Sequence, residues 1–508
     1  MSATSILVAQ ARLPLVPIDV PDVEYSAMSP ELILIGGALL LLLVVSLVRR
    51  PPSWLWPLLT VGSGGASMGA SLWLWADVRD DGPVRAVAGA LVVDGFAVFF
   101  MVLISATVIL GALLGEGFLQ REGVRGPEFY VLMMLSASGG VFMASANDLI
   151  VLFLGLEILS IALYVLAGFQ GGRRESREAA MKYFVLGAFS SALFLYGVAL
   201  VYGATGSTNL VSIAQFLASN VATSNGVLLA GMVLLLVGLG FKVAVVPFHT
   251  WTPDVYQGSP SPVTGFMAAA AKAAGFSGLL RVFFSTFSTL RLDWRPVVWV
   301  IAVATLLVGS VLAVVQNDVK RMLAYSSISH AGYVLIGLQA ASERGIAGSL
   351  FYLLAYTFMV MGSFAIVTIV GRRGDTRHTI DEYRGLAGRR PALALAFAVF
   401  LMAQAGVPFT TGFLAKFYVI SAAVEARSYA LALIGMLSAV IAGFFYLRLI
   451  VVMYSPSPVG GDPAAATERL PLPVSHGVAV AVAATFTIAF GLAPSAMVTF
   501  ARQASLLL

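Results

Sequence analysis

The sequence predicts an all-α polytopic membrane protein of about fourteen transmembrane helices. Spans 4–8 and 9–13 are expected to form two inverted five-helix repeats, each with one discontinuous helix. Three observations lead there. Of 508 residues, 59% are hydrophobic and only 11% are charged, against about a quarter charged in a soluble domain; mean hydropathy is +0.93. The apolar residues are gathered into runs long enough to cross a bilayer. A set of short motifs then recurs in one order further along the chain.

The runs fall at 31–48, 54–76, 95–116, 127–145, 148–168, 179–204, 225–248, 261–284, 296–315, 321–339, 346–370, 391–412, 428–454 and 473–499. Residues 1–30 hold no long apolar run and no cleavage pattern, which reads as a polar leader. The organisation that follows is 1–30 leader, 31–125 spans 1–3, 126–285 first repeat, 286–455 second repeat and 456–508 the last span. Cations set the orientation. Sixteen Lys and Arg residues, among them Arg173, Lys320 and Arg373, flank the odd-numbered connections, and six flank the even ones. Odd connections are therefore expected in the cytoplasm and both termini outside.

The repeat rests on four matches. Asn147-Asp148 returns as Asn317-Asp318, and Tyr164-Val165-Leu166 as Tyr333-Val334-Leu335. Val246-Pro247-Phe248 returns as Val407-Pro408-Phe409, and Ala274-Gly275-Phe276 as Ala442-Gly443-Phe444. The unit holds five spans. Because five is odd, the second copy enters the membrane upside down, a transporter plan whose sites sit near mid-membrane on discontinuous helices. Pro247 and Pro408 mark the expected breaks, since proline removes a backbone donor and clashes with the preceding turn.

Charges inside the spans carry the functional signal. Of the 30 Lys and Arg residues five are lysines; Lys182, Lys242 and Lys272 lie within predicted spans, and Lys416 sits in the apolar run GFLAKFYVI just past the span 391–412. Arginine keeps its proton in a protein, whereas buried lysine gives it up readily. Each mid-membrane lysine costs roughly 2.5–3.5 kcal/mol on insertion scales, so such groups face a bundle interior, pair, or line a wet path. Lys182 is close enough to a helix end to snorkel. Glu157 is the one acid read as deep, and it is expected to pair with Lys242 directly or through water. Asp94 and Asp148 suit N-caps. His249 and His330 are possible proton relays, while His378 and His476 fall in or beside loops.

Other chemistries are excluded. With no cysteine there are no disulfides, thiolate metal sites or cysteine nucleophiles. No Walker A, strand-borne GxGxxG, haem-spaced histidines or metal-ligand cluster appears, so no cofactor and no metal are expected on this chain. The net charge of +5 belongs to membrane-flanking loops rather than to nucleic-acid binding. These residues describe a multi-span transporter suited to moving protons.

The runs GLGFKVAVVPFHTWTPDVYQGSPSPVTGF (238–266), QNDVKRMLAYSSISHAGY (316–333) and VPFTTGFLAKFYVI (407–420) resemble the antiporter-like membrane subunits of respiratory complex I, the proton-pumping NADH–quinone oxidoreductase. Trp251 to Gln257 match its N subunits rather than L or M, and Lys416 also fits N and argues against M. The resemblance implies a proton-translocating subunit of a bacterial plasma-membrane enzyme, with Glu157, Lys242, Lys272 and Lys416 as the translocation row. It also implies FMN, iron–sulfur clusters and quinone in other subunits, and neighbours such as subunits M, K and J within membrane lipid. An Mrp-type or hydrogenase-linked sodium/proton antiporter subunit is the alternative, and a structural scaffold a third reading. One departure concerns the repeat: Lys242 precedes its proline by five residues, Lys416 follows its own by eight, and Lys272 aligns with Val440. The charge row is not a symmetric duplication.

Overall fold

The computed structural model describes residues 23–48, 52–124, 126–220, 226–456 and 472–504. Most of the expected leader, with Arg49, Arg50, Arg125 and Arg469, lies outside the described residues. The chain runs through α1 (Ser29–Leu47), α2 (Leu55–Asp81), a hairpin of β1 (Val84–Ala86) and β2 (Leu91–Val93), and α3 (Gly95–Glu122). Next come α4 (Pro127–Ser145), α5 (Leu149–Ala167), α6 (Arg174–Thr205), the short α7 (Leu210–Ser219), α8 (Gly226–Val243), α9 (Trp251–Gly258) and α10 (Ser261–Thr286). The second half repeats the pattern with α11 (Arg291–Val314), α12 (Val319–Ala340), α13 (Glu343–Val370), α14 (Pro391–Ala405), α15 (Thr411–Glu425) and α16 (Tyr429–Tyr454). α17 (Val474–Leu492) and α18 (Ser495–Ala504) follow.

Every predicted span coincides with a helix. Among the described residues, eleven are long and apolar enough to cross a membrane by length and composition. The other three predicted spans are α2, α12 and α14: the first two are diluted by Ser, Gly and charged residues, and the third is short because its helix ends at Ala405, leaving α15, which carries Lys416, almost wholly beyond the predicted span 391–412. α10 is buried throughout except at Phe284 and Ser285 in its last turn, and α13 nearly throughout beyond its first two residues. Around them α1, α6, α11 and α16 turn large apolar side chains outward, such as Leu43, Phe189, Val300 and Val440. A water-facing surface rarely carries so much contiguous apolar area; lipid accounts for it.

Capping follows the sequence expectation. Asp94 accepts from the backbone N–H of Ala97 at 2.7 Å and Asp148 from Ile150 at 2.8 Å, each satisfying an orphan donor of its helix. Asp318, the repeat partner of Asp148, does the same for Arg321 at 2.9 Å.

The two copies share more than sequence. Asp148 forms an antiparallel bridge with Asn209 and Asp318 with Thr379, so the link between the first and second helices of each repeat is sewn to the link after the third. The hydrogen bonds match: Leu149 donates to Thr208 O and Leu210 to Asn147 O, while Val319 donates to His378 O and Ile380 to Asn317 O. An arginine clasp recurs as well. Arg281, in the last helix of the first repeat, donates to Ala144 O at 3.1 Å, and Arg448, in the last helix of the second, donates to Val314 O at 3.2 Å. Five spans separate the two seams, which places them on opposite faces of the bundle.

Charge is also buried where spans begin and end. Glu31, in the first turn of α1, is 1% exposed and accepts from Ser145 Oγ at 3.1 Å. Arg281, near the end of α10, forms a two-pronged pair with Asp94, both bonds 2.8 Å. One expectation needs correction. Lys320, read as a loop cation, is fully buried against Asp375 at 3.2 Å.

Candidate proton-translocation site

The two helix breaks are built alike. α8 ends at Val243, and the chain leaves it through Ala244 in the left-handed region (φ 61°), with Val245 N–H closing onto Gly240 O. α14 ends at Ala405 and leaves through Gly406 (φ 95°), with Val407 N–H closing onto Met402 O. Both are the six-to-one closure that ends a helix at a left-handed residue. Pro247 and Pro408 lie inside the linkers, after each helix has already ended. Gly406 answers a second demand, since a Cβ there would sit 2.9 Å from Lys416 Cδ.

The lysines collect around these breaks. Lys242, in the last turn of α8, donates to Ser160 Oγ at 2.8 Å and Tyr183 Oη at 3.2 Å. Its stem packs beside α10 at Gly275, where a Cβ would meet Lys242 Cγ at 3.2 Å. Lys272, in the middle of α10 and directly after the π-helical stretch Met267–Ala271, donates to the carbonyl of Ser327 at 2.5 Å and to its hydroxyl at 2.6 Å. Lys416 reaches back from α15 to cap the free end of α14, donating to the carbonyls of Gln404 and Ala405 at 2.8 Å each. Those carbonyls have no partner within their own helix, and a cation suits the negative end of its dipole.

Among the described residues, no carboxylate lies at bonding distance from any of the three ammonium groups. Glu157 sits on α5 one turn before Ser160, its Oε1 has no hydrogen-bond partner, and it forms no ion pair with Lys242; Ser160 occupies the place expected of it. Neutral partners suit a transferable charge. A hydrogen bond to a charged group is worth about 1.5–3 kcal/mol, so two such bonds offset the insertion cost of a lysine without the grip of a buried ion pair.

Between Lys272 and Lys416 polar side chains follow one another, the step from Ser327 to His330 being one helical turn rather than a hydrogen bond. His330 lies one turn beyond Ser327 on α12, with Nδ1 2.6 Å from Tyr352 Oη and Nε2 3.2 Å from Tyr446 Oη. Tyr446 also bonds Ser326 Oγ and donates to Gln404 Oε1 at 3.3 Å, and Gln404 carries the carbonyl that Lys416 holds. Aromatic faces flank the route, with Lys272 5.7 Å from the Tyr356 ring centre and Lys416 4.9 Å from that of Tyr333. The structure therefore brings together Lys242, Lys272, His330 and Lys416, with Glu157 a turn away.

Two sequence candidates stand apart. Lys182 pairs with Asp254 at 2.6 Å and Glu178 at 2.8 Å, and Asp254 also holds Arg321 at 2.6 Å. A cleft of about 360 Å³ opens there, lined by Arg173, Lys182, Asp254, Gln257 and His378 among others. The neighbour of Lys182, Tyr183, is the one that touches Lys242, and its ring stacks on Trp251 of α9 with centroids 4.6 Å apart. His249, in the α8–α9 linker, has a buried Nδ1 without a partner and no bond to any lysine of the row.

Sequence reasoning missed Ser160, Tyr183, Ser327, Tyr446 and Gln404, for which the spans gave no signal. It also missed the cluster on Asp375, which accepts from Ser261 N–H at 2.9 Å, Ser261 Oγ at 2.8 Å, His378 Nε2 at 3.1 Å and Lys320. Burial alone would raise the Asp375 pKa; Lys320, His378 and Ser261 outweigh it and hold this carboxyl well below the usual carboxylate range.

A family model described as NADH:quinone oxidoreductase/Mrp antiporter, TM matches residues 146–442. The chain belongs to this family. Within the NADH:quinone oxidoreductase/Mrp antiporter family, it is 41% identical over 483 residues to NADH-quinone oxidoreductase subunit N of Trichlorobacter lovleyi, covering 95% of this chain and 97% of that one. A chain of respiratory complex I from Thermus thermophilus superposes with a TM-score of 0.77 at 32% identity, covering 92% of this chain and 98% of that one. A chain of the Mrp complex from Dietzia sp. reaches a TM-score of 0.83 at 21% identity, over 94% and 97%. The Mrp likeness shows a shared fold alone.

Proposed function

We propose that the chain is the N subunit of a proton-pumping NADH–quinone oxidoreductase and moves protons along Lys242, Lys272 and Lys416. The observation that carries this reading is the set of three buried ammonium groups held by hydroxyls and carbonyls, with no carboxylate among the described residues at bonding distance from any of them. A scaffold has no use for such groups. Glu157 acts at the Lys242 end of the row through its field, His330 passes protons between Lys272 and Lys416, and Lys182 and His249 are relays on the approach. Pro247 and Pro408 keep the linkers from rejoining their helices.

The driving chemistry sits elsewhere. FMN, iron–sulfur clusters and quinone belong to other subunits, and the chain sits beside the M, K and J membrane subunits in a bacterial plasma membrane, both termini outside. The bias of loop arginines supports that orientation, and whole-length identity to curated N subunits supports the assembly. Affinity purification of the tagged chain is the test. NADH–quinone reductase activity, flavin and iron–sulfur in the purified assembly are expected; a complex of hydrophobic antiporter proteins alone would establish the Mrp-type alternative.

A further inference from the structure

At the opposite end of α10 from Ser261 lies a cavity of about 340 Å³ that the row above does not use. Its exposed rim is formed by Gln215 and Ala218 of α7 and by Thr289, and its floor by Asn147, Arg281 and Thr286, each at most 3% exposed. Four polar atoms around it are buried without a protein partner: Asn147 Oδ1, Arg281 Nε, Ser285 Oγ and Thr286 Oγ1. Leaving a buried polar group unpaired is costly, so four in one cavity point to something that bonds them. The guanidinium is already neutralised by Asp94 through two 2.8 Å bonds, so the cavity favours neither a cation nor an anion. What remains is water. At about 30 Å³ per molecule the volume holds on the order of ten.

The position gives that water a use. Arg281 follows Lys272 by nine residues on the same helix, about 14 Å at 1.5 Å per residue, and Ser277 lies between them, fully buried. The helix is π-helical at Met267–Ala271, before Lys272, and again at Arg281–Thr286, along the cavity. Such stretches interrupt the regular hydrogen bonding of a helix and recur at functional sites.

We propose that this cavity is a water-filled proton-release vestibule for Lys272, on the outer face of the first repeat and separate from the break at Lys416. The inference rests on the reading of Lys272 as a proton carrier. A proton leaves the Lys272 ammonium for water, passes along water between Ser277 and the Arg281 floor, and departs at the Gln215 rim. Lys272 is left as a neutral amine and regains a proton from the Lys242 side. Arg281 does not itself transfer the proton. Held by Asp94, it fixes the floor and orients water through Nε–H.

The chain has no cysteine, so Ser285→Cys adds its only thiol. Spheroplasts carrying the assembled enzyme are treated from outside with a membrane-impermeant cationic methanethiosulfonate, the unsubstituted enzyme serving as control. Labelling is expected, with loss of proton pumping coupled to NADH oxidation, restored by dithiothreitol. A thiol that labels fully without loss of pumping, or reacts only from the cytoplasmic side, overturns the proposal. Ala214→Phe fills the same cavity without chemistry and is expected to lower pumping in assembled enzyme; unchanged pumping counts against the vestibule. Lys272→Ala in the same membranes separates the failures. If it pumps normally, the reading of Lys272 falls; if it is impaired while labelled Ser285→Cys is not, only the vestibule falls.

Discussion

Lys272 holds Ser327 twice, through its carbonyl at 2.5 Å and its hydroxyl at 2.6 Å, so the centre of α10 is fastened to the centre of α12 by a group that can give up a proton. Lys272→Ala is expected to leave the assembly intact and to reduce proton pumping per NADH oxidised. Lys272→Arg is expected to be impaired as well, because arginine does not release its proton. Ser327→Ala keeps the carbonyl acceptor and should impair pumping less than either. Dye-quench measurements in inverted vesicles check all three, and normal pumping by Lys272→Ala would remove it from the row.

His330 is the hub between Lys272 and Lys416. His330→Phe preserves the ring packing against Tyr356, whose centre is 4.8 Å away, and removes both bonding nitrogens. Pumping is expected to fall while NADH–quinone assembly, followed by native gel electrophoresis, is retained. His330→Gln retains hydrogen bonding without imidazole chemistry and should not restore it.

Replacing Lys416 by Met strips the cap from Gln404 and Ala405. Each buried carbonyl left unpaired costs about 1–3 kcal/mol, so a lower thermal midpoint of the chain is expected together with slower turnover and pumping. A variant of unaltered stability would show that the cap carries little weight.

Glu157 and Lys242 give a graded expectation, since the two side chains are not in direct contact. Ser160→Ala should disturb Lys242 more than Glu157→Gln does, because it deletes the 2.8 Å partner whereas the glutamine removes only a field. Pumping rates of the two single variants and the double variant decide it; the reverse ranking would restore Glu157 as the principal partner.

Asp375→Asn breaks a fully buried pair with Lys320. Leaving one charge of such a pair uncompensated costs about 3–5 kcal/mol, so poorer assembly is expected at neutral pH. The folded-state pKa is depressed, which means the contribution is present above the unfolded value near 4 and is lost as pH falls below it. The gap between variant and unsubstituted enzyme should therefore stay constant from pH 8 to pH 5. A gap that closes already at pH 6 would contradict the assignment.

The sequence made the fold and half of the site readable, for one physical reason. A charge in an apolar run is costly enough to be noticed, so Lys242, Lys272, Lys416 and Glu157 stood out. Ser160, Tyr183, Ser327 and Tyr446 did not, because hydroxyls are cheap in a helix and most of them simply bond the preceding turn. Lys320 was misread through a boundary: the predicted span begins at 321, the helix at Val319, and two residues moved the lysine from loop to core. The breaks were located by their prolines although left-handed Ala244 and Gly406 end the helices, since no sequence pattern marks an alanine at positive φ.

The two seams at Asp148–Asn209 and Asp318–Thr379 impose a parity rule on this chain. Each seam forms only if its two links emerge on the same side, and the five crossings between the seams keep them on opposite sides. Losing or gaining one helix between Asp148 and Asp318 would turn every later segment over and present Lys416 to the wrong compartment. Helices in that interval are thus replaceable only in pairs, whereas the ends of the chain, before α4 and after α16, are free to lengthen or shorten by single helices. Variation in length among working relatives should accordingly gather at the termini and in the loops, and the interior should change by substitution alone.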